Sequence, residues 1–189
     1  MDESATKRPR KNPDGSSRAR IAVVGAGSWS QGWHLPQLHR NPEAEITAIV
    51  DPSVLTWSKY NKNMKPTKEL AEYYGVPKFD DIDSFLSSDV ATSTHGWRII
   101  ASSHSSHHDV GMKAVRAGLH ILMEKPMTTD TREAMELVDA VASSDKVFIV
   151  NNSANFRPSA IRAHRLVTAG EVGKIDGCKL LHDERARVL

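Results

Sequence analysis

Short apolar runs alternate with longer amphipathic segments along the chain from residue 20 onward. The apolar, β-branched runs predict buried strands, and the segments between them predict helices. This alternation is typical of an α/β fold in which right-handed crossovers build a doubly wound parallel sheet, the Rossmann arrangement. The predicted strands are residues 21–24, 45–51, 98–103, 120–126 and 146–152, with a short extended piece at 78–80. The predicted helices are one that ends near residue 40, then 53–74 with an interruption at Pro66, 82–86, 107–117, one that Asp130 caps, and 158–169.

The first predicted strand ends in a glycine turn, GAG at residues 25–27. In dinucleotide-binding folds such a turn lets a pyrophosphate approach the backbone at the start of a helix. Ser30 stands where the fingerprint prefers a third glycine, and it is small enough for close packing of helix on strand. A turn that holds no nucleotide is the alternative. The predicted cofactor contacts of this segment are Gly25, Gly27, Ser28 and Trp29.

A carboxylate ends the second predicted strand, at Asp51, 24 positions after Gly27. The fingerprint expects an acidic residue about 20 positions on, where it accepts hydrogen bonds from ribose hydroxyls. The same charge repels a 2′-phosphate, and Pro52 and Ser53 follow it instead of an arginine. We therefore expect Asp51 to favour NAD, with NADP as the alternative cofactor.

The sequence Glu124-Lys125-Pro126 lies at the carboxyl end of a predicted central strand. Open α/β sheets bind their ligands at this edge. Pro126 restricts the backbone before it and can adopt the cis form, which would direct the Lys125 amine over the crevice. An ammonium group there can stabilise negative charge on a reacting oxygen, so we predict that Lys125 is catalytic.

Composition adds limits to this interpretation. The 189 residues are 39% hydrophobic and can bury one ordinary core. The single cysteine excludes an internal disulfide and fits a reducing compartment, and no apolar run is long enough for a membrane span. We therefore expect a cytoplasmic protein with no membrane contact, no metal site and no nucleic-acid contact by the folded domain. The basic cluster Lys7 to Lys11 is either a nuclear import signal or part of a solvated tail.

From residue 20 to residue 175 the chain resembles the glucose–fructose oxidoreductase and inositol 2-dehydrogenase family of nicotinamide-dependent sugar oxidoreductases. The resemblance rests on GAGSWS, Asp51, HSSHHDVGMKAVRAGLHILMEKPMTTD and NFRPSAIRAHRLVTAGEVGKI, in this order. It implies hydride transfer between a nicotinamide and a hydroxyl or carbonyl group of a sugar or polyol. It also implies a cis peptide bond before Pro126 and places Lys125 beside nicotinamide and substrate. The further cofactor contacts expected on this basis are Ser102, His107, Glu124, Lys125 and Pro126.

Two departures from the family pattern qualify the expectation. Ala101-Ser102-Ser103 replaces the usual Ala-Thr-Pro, which leaves the cofactor loop before His107 open to displacement. The family also carries a second α/β domain that binds substrate and forms oligomers, and here it is absent or only begun. We therefore predict a disordered basic arm at 1–19, a Rossmann domain at 20–152, and a linking helix with the first part of a truncated domain at 153–189.

These departures leave two functions open. One is an oxidoreductase whose 189-residue chain binds a dinucleotide but does not by itself turn over a sugar or polyol. We do not expect this short chain to form a family-type homo-oligomer. The other is a non-catalytic regulatory module that binds a dinucleotide. Residues 174–181 are expected to form a lone strand of the second domain.

Overall fold

The computed structural model describes residues 18–54, 62–92 and 96–177. The chain divides into two compact units, Met1–Asn151 and Asn152–Leu189. The strands are β1 (Ala19–Val24), β2 (Ala44–Val50), β3 (Lys78–Phe79), β4 (Trp97–Ile100), β5 (His120–Glu124) and β6 (Phe148–Asn151). The α-helices are α1 (Leu35–Arg40), α2 (Thr67–Tyr74), α3 (Ile82–Leu86), α4 (Asp89–Thr92), α5 (His107–Arg116), α6 (Thr131–Ala142) and α7 (Pro158–Thr168).

All six strands run parallel, in the order β3-β2-β1-β4-β5-β6. After β3 the chain crosses back to form β4 on the other side of β1, so the order in which strands are added reverses between β1 and β4. Doubly wound folds place ligands at this point. Alternate residues of β1 point to opposite faces, and both faces are buried. Ala22 and Val24 pack with α3, α5 and α6, whereas Val23 packs with Leu35 of α1 and Leu70 of α2. The predicted doubly wound sheet is confirmed.

Two predicted helix boundaries, the end of α5 and the start of α6, are confirmed. The chain leaves α5 through Gly118, whose φ of +71° favours glycine. Asp130 precedes α6, and its side chain accepts the Arg132 N–H at 2.7 Å. On α6, Leu137 is fully buried while Val138 is exposed, so a narrow apolar stripe of this helix packs on the sheet.

Several predicted boundaries are wrong. β4 and β5 stop short of residues 103 and 126, because the chain turns away from the sheet after β4 and because Pro126 has no N–H for the β5 ladder. The predicted helix 53–74 is helical only as α2, directly after Pro66, while its residues 55–61 lie outside the described part. The first predicted helix contains a π-helical turn, Ser30–His34, before α1. Helix α4 was not predicted.

The second unit contains a short 3₁₀ turn, Ser153–Phe156, and α7. Residues 174–177 are exposed and form no strand, and residues 178–181 of the predicted lone strand lie outside the described part. At the other end, β1 begins at Ala19, one residue inside the predicted arm, whose residues 1–17 are not described. No helix within the described ranges is long and apolar enough to cross a membrane.

Candidate functional site

The glycine turn after β1 packs against the end of β4. Gly25 has a φ of +94°, and a Cβ on it would lie 2.5 Å from the carbonyl carbon of Ala101, far inside van der Waals contact. Its N–H donates to the Val50 carbonyl at 2.8 Å, which ties the turn to β2. A Cβ on Gly27 would meet no described atom within 4 Å. Gly25 is therefore required by packing, whereas Gly27 leaves open space beside the turn.

Ser30 occupies the third position of the glycine fingerprint and is fully buried. Its hydroxyl donates to the Gly25 carbonyl at 2.5 Å. The prediction that a small residue here permits close packing is confirmed. The hydroxyl also satisfies a buried carbonyl of the turn, which a third glycine could not do.

Asp51 follows β2 and is 7% exposed. One carboxylate oxygen accepts the Ala26 N–H at 2.6 Å, and the other accepts the Ser53 N–H at 2.7 Å. The side chain thus fixes the glycine turn against the end of β2. Each carboxylate oxygen keeps a further lone pair, so the group can still accept hydrogen bonds from two hydroxyls.

A cavity of about 360 Å³ opens between the glycine turn, the end of β2 and the loop after β4. This volume lies in the range of small-molecule sites. Gly25, Asp51 and Ser102, three of the predicted cofactor contacts, line it. The other charged residues of its lining are Asp80, Asp81, Asp83, Asp109 and Lys113.

Lys113 is the one cation in the described lining of this cavity, and it is already paired. Its ammonium group lies 2.8 Å from a carboxylate oxygen of Asp83 and 3.2 Å from one of Asp109. The hydrogen bonds that it donates to these two carboxylates raise the pKa of Lys113. Because the lining contains five aspartates and only this lysine, its charge is negative. The cavity therefore favours a ligand that brings no negative charge into it.

Glu124, at the end of β5, is buried and accepts hydrogen bonds from three other elements. Its Oε1 atom accepts from Trp29 Nε1 at 2.9 Å, His34 Nε2 at 2.8 Å and Asn151 Nδ2 at 2.5 Å. Its Oε2 atom accepts the backbone N–H of Lys125 at 3.2 Å. Burial raises the pKa of Glu124, but the bonds from Asn151, Trp29 and His34 outweigh it and hold the pKa below the usual range. The carboxylate is therefore charged at neutral pH.

Lys125 and Pro126 follow this carboxylate and are exposed. The peptide bond between them is cis, as the sequence predicted. Among the described residues the Lys125 ammonium group has no hydrogen-bond or ion-pair partner. Its charge is thus held next to a fixed strand end and remains available to a ligand.

His107 begins α5 and is fully buried. Its Nδ1 atom lies 2.7 Å from the Pro126 carbonyl oxygen, and its Nε2 atom lies 3.3 Å from that of Ser102. Both ring nitrogens face a carbonyl oxygen, and the shorter contact favours Nδ1 as the donor. The ring joins the loops after β4 and β5, so its contribution to the predicted cofactor site is to hold both loops; direct contact with a cofactor stays a prediction.

The predicted site residues form two groups at the carboxyl edge of the sheet. Gly25, Asp51 and Ser102 line the cavity, whereas Trp29, Glu124, Lys125 and Pro126 surround the end of β5; Ser28 is half-buried beside the turn. Sequence reasoning missed His34, Asn151 and the acidic lining of the cavity. Asn151 could have been predicted from strand pairing, because it lies opposite Glu124 on the neighbouring strand. No group of three metal-ligating side chains occurs in the described ranges.

Comparisons with known proteins agree with this geometry. A family model described as an oxidoreductase family with an NAD-binding Rossmann fold matches residues 19–152. Inositol 2-dehydrogenase from Corynebacterium glutamicum (strain R) is 28% identical over 169 residues, which is 88% of this chain and 46% of that protein.

Solved structures show the same fold. The WlbA dehydrogenase from Chromobacterium violaceum, in complex with NADH and UDP-GlcNAcA, aligns with a TM-score of 0.70 at 21% identity over 84% of this chain and 42% of that one. A 3-ketoreductase from Actinomadura kijaniata, in complex with NADP and TDP-benzene, gives 0.64 at 22% identity over 81% and 43%. The chain spans less than half the length of each of these relatives.

Proposed function

The chain belongs to the GFO_IDH_MocA oxidoreductase family, whose domain is an NAD-binding Rossmann fold, and from this premise we propose that its crevice binds NAD and presents it to a sugar or polyol. The reaction is hydride transfer between the nicotinamide and a carbon that carries a hydroxyl or carbonyl oxygen. The observation that carries the proposal is Lys125, a charged side chain without a described partner on the same sheet edge as the glycine turn. The cytoplasmic location remains a prediction.

The residues present fit a dinucleotide. The space beside Gly27 admits a pyrophosphate against the backbone, since no described atom lies within 4 Å of the Cβ position there. The cavity beside Asp51 has room for an adenosine, and the carboxylate has lone pairs left for the ribose hydroxyls. We therefore propose that the adenosine end lies at β2 and the nicotinamide end at β5.

The charge around Asp51 supports NAD over NADP. A 2′-phosphate would enter a cavity lined by five aspartates, where its charge is repelled. Lys113 cannot compensate without giving up its bonds to Asp83 and Asp109. An NADP site would need a cation directed at the ribose, and the described lining offers only this one.

Lys125 supports the chemical step. The bound nicotinamide supplies the hydride acceptor or donor. The Lys125 ammonium group donates a hydrogen bond to the substrate oxygen and stabilises the negative charge that develops there. As a neutral amine the same group accepts the hydroxyl proton during oxidation of an alcohol. Glu124 and His107 hold the backbone on either side of it, which fixes where this charge lies.

Calorimetric titration tests the assignment of the two ends. NADH is expected to bind the chain about tenfold or more tightly than NADPH, because the aspartates repel the extra phosphate. Asp51→Asn keeps an acceptor for the backbone but removes the charge, so it should weaken NADH binding and narrow this difference. Lys125→Ala should leave NADH affinity within about threefold of the wild type, because the lysine acts on the substrate oxygen.

Two outcomes would contradict the proposal. If neither dinucleotide binds the folded chain, the crevice is not a cofactor site. If NADPH binds as tightly as NADH, the acidic cavity does not hold the adenosine ribose.

A further inference from the structure

Two exposed tryptophans stand beside the end of β5. Of the four tryptophans in the chain, Trp29 is 46% exposed and Trp33 is 57% exposed. Their ring centroids lie 5.8 Å apart, with the ring planes tilted by 41°. Two adjacent large aromatic surfaces left in water forgo a substantial hydrophobic gain, and aromatic side chains are enriched in ligand sites.

Hydrogen bonds to Glu124 hold the tryptophan pair in place. Trp29 donates its indole N–H to Glu124 at 2.9 Å, which uses its polar atom and leaves its ring faces for other contacts. Trp33 lies in the π-helical turn, and the next residue, His34, bonds the same carboxylate oxygen at 2.8 Å. Such turns are frequent at functional sites. Glu124 therefore fixes both the first ring and the turn that carries the second.

The position of this aromatic surface indicates what can cover it. The carboxylate that anchors Trp29 is directly followed by Lys125, the cation assigned to the substrate oxygen. A ligand here meets the exposed apolar faces of two indole rings and a hydrogen-bond donor on the residue after Glu124. Sugars and cyclitols match this combination, because their ring C–H groups form an apolar face and their hydroxyls form a polar rim. A cationic ligand would be repelled by Lys125.

We propose that Trp29 and Trp33 form a stacking platform for the C–H face of a sugar or cyclitol ring, whose hydroxyl rim reaches Lys125. This inference rests on the proposed function and adds a substrate preference to it. A ring whose hydroxyls are all equatorial presents a smooth apolar face to an indole. Axial hydroxyls project from that face and would lose their hydration against the aromatic surface. The platform therefore selects equatorial over axial isomers.

The indole N–H resonances of the ¹⁵N-labelled chain provide a direct test. The chain is saturated with NADH and then titrated with scyllo-inositol, all of whose hydroxyls are equatorial, or with its isomer allo-inositol, which has axial hydroxyls on both faces. We expect scyllo-inositol to shift the Trp29 and Trp33 resonances at several-fold lower concentration than allo-inositol. Trp97 is the internal control and should not shift, because it stacks on His120 at the amino end of β4, away from the carboxyl edge of the sheet.

Variants separate the platform from the fold. Trp33→Ala should weaken scyllo-inositol binding about two- to tenfold, the usual contribution of one aromatic contact, while NADH affinity stays within about twofold. Trp33→Phe keeps an aromatic face and should recover most of the loss. Trp97→Phe is the matched control and should leave both affinities as in the wild type.

Three results would overturn the platform. Shifts of Trp29 and Trp33 that are complete with NADH alone, with none on adding inositol, would assign the rings to the cofactor. Equal shifts with both isomers would exclude stacking on the C–H face. Absence of any inositol-dependent shift in the NADH-bound chain would remove the site. Failure of NADH to bind would instead contradict the proposed function, and the inositol titration of the free chain would still decide the platform.

Discussion

At the residue scale, Gly25 and Gly27 face different surroundings although one residue separates them. Gly25 combines a positive φ with backbone of β4 at its Cβ position, whereas the Cβ position of Gly27 is open. The first glycine therefore serves the fold, and the proposed function assigns the second to the ligand. Substitution of each by the same methyl group distinguishes these roles.

Gly25→Ala should lower the free energy of unfolding by about 2–4 kcal/mol, because the methyl group must displace the Ala101 and Ser102 backbone at an unfavourable φ. Gly27→Ala, its matched control, should change stability by less than about 1 kcal/mol but weaken NADH binding about tenfold. Urea unfolding and calorimetry measure the two effects. A Gly27→Ala variant with wild-type NADH affinity would show that the pyrophosphate does not lie against this turn.

The positions of single residues were predictable where the end of a strand determines them, and their roles stay predictions. Asp51 and Lys125 each follow or end a strand, and parallel strands bring their carboxyl ends to one edge. The hydrogen bonds around Glu124 were not predictable. Its partner Trp29, for example, is 95 positions away in the sequence, and no periodicity links the two residues. Buried Arg98 was likewise missed. Burial lowers its pKa to about 10, and its guanidinium lies 4.6 Å from the centre of the Phe85 ring.

At the element scale, Glu124 joins β5 to the segment that follows the glycine turn, to the π-helical turn and to β6. Each of these elements is short, and a side chain from each donates to the same carboxylate oxygen. The arrangement holds the end of β5 in position, and with it Lys125. It depends on the negative charge, because a neutral carboxyl group accepts these bonds less strongly.

Stability should therefore depend on pH through Glu124. Its pKa in the folded chain is below its usual value of 4.5, so its contribution is complete above about pH 5 and is lost as the pH falls through the lower folded value. Glu124→Gln should cost about 1–3 kcal/mol at pH 7 and progressively less below pH 4.5. Urea unfolding at several pH values measures the difference.

The exposed Glu72 on α2 provides the control. Glu72→Gln should change stability by less than about 0.5 kcal/mol at every pH, as expected for a surface substitution. A constant difference between wild type and Glu124→Gln from pH 7 to pH 3.5 would show that the carboxylate charge does not hold the end of β5.

Element types were predictable from the sequence, whereas their ends were less so. Apolar runs identified five of the six strands, because a doubly covered parallel sheet buries both faces of its central strands, and β3 was predicted only as a short extended piece. The π-helical turn was not predicted, since its residues carry no pattern that distinguishes it from an α-helix. Its consequence is large, because it carries Trp33 and His34 at the site.

At the scale of the whole domain, the parallel sheet brings distant parts of the sequence to one edge. The Gly25 turn, Asp51, the Ser102 loop and Lys125 come from four strands, and the strand order places β1 between β2 and β4. An acidic cavity lies on the β2 side, and an exposed lysine with two tryptophans lies on the β5 side. The proposed function implies that one dinucleotide extends along this edge, with adenosine at Asp51 and nicotinamide at Lys125.

A crystal structure of the chain with NADH would show the direction in which the dinucleotide lies. We predict that the adenosine ribose hydroxyls lie within about 3 Å of the Asp51 carboxylate oxygens, that the pyrophosphate covers Gly27, and that the nicotinamide lies on the Lys125 side of the turn. NADH bound in the opposite direction, or away from the carboxyl edge of the sheet, would contradict the account.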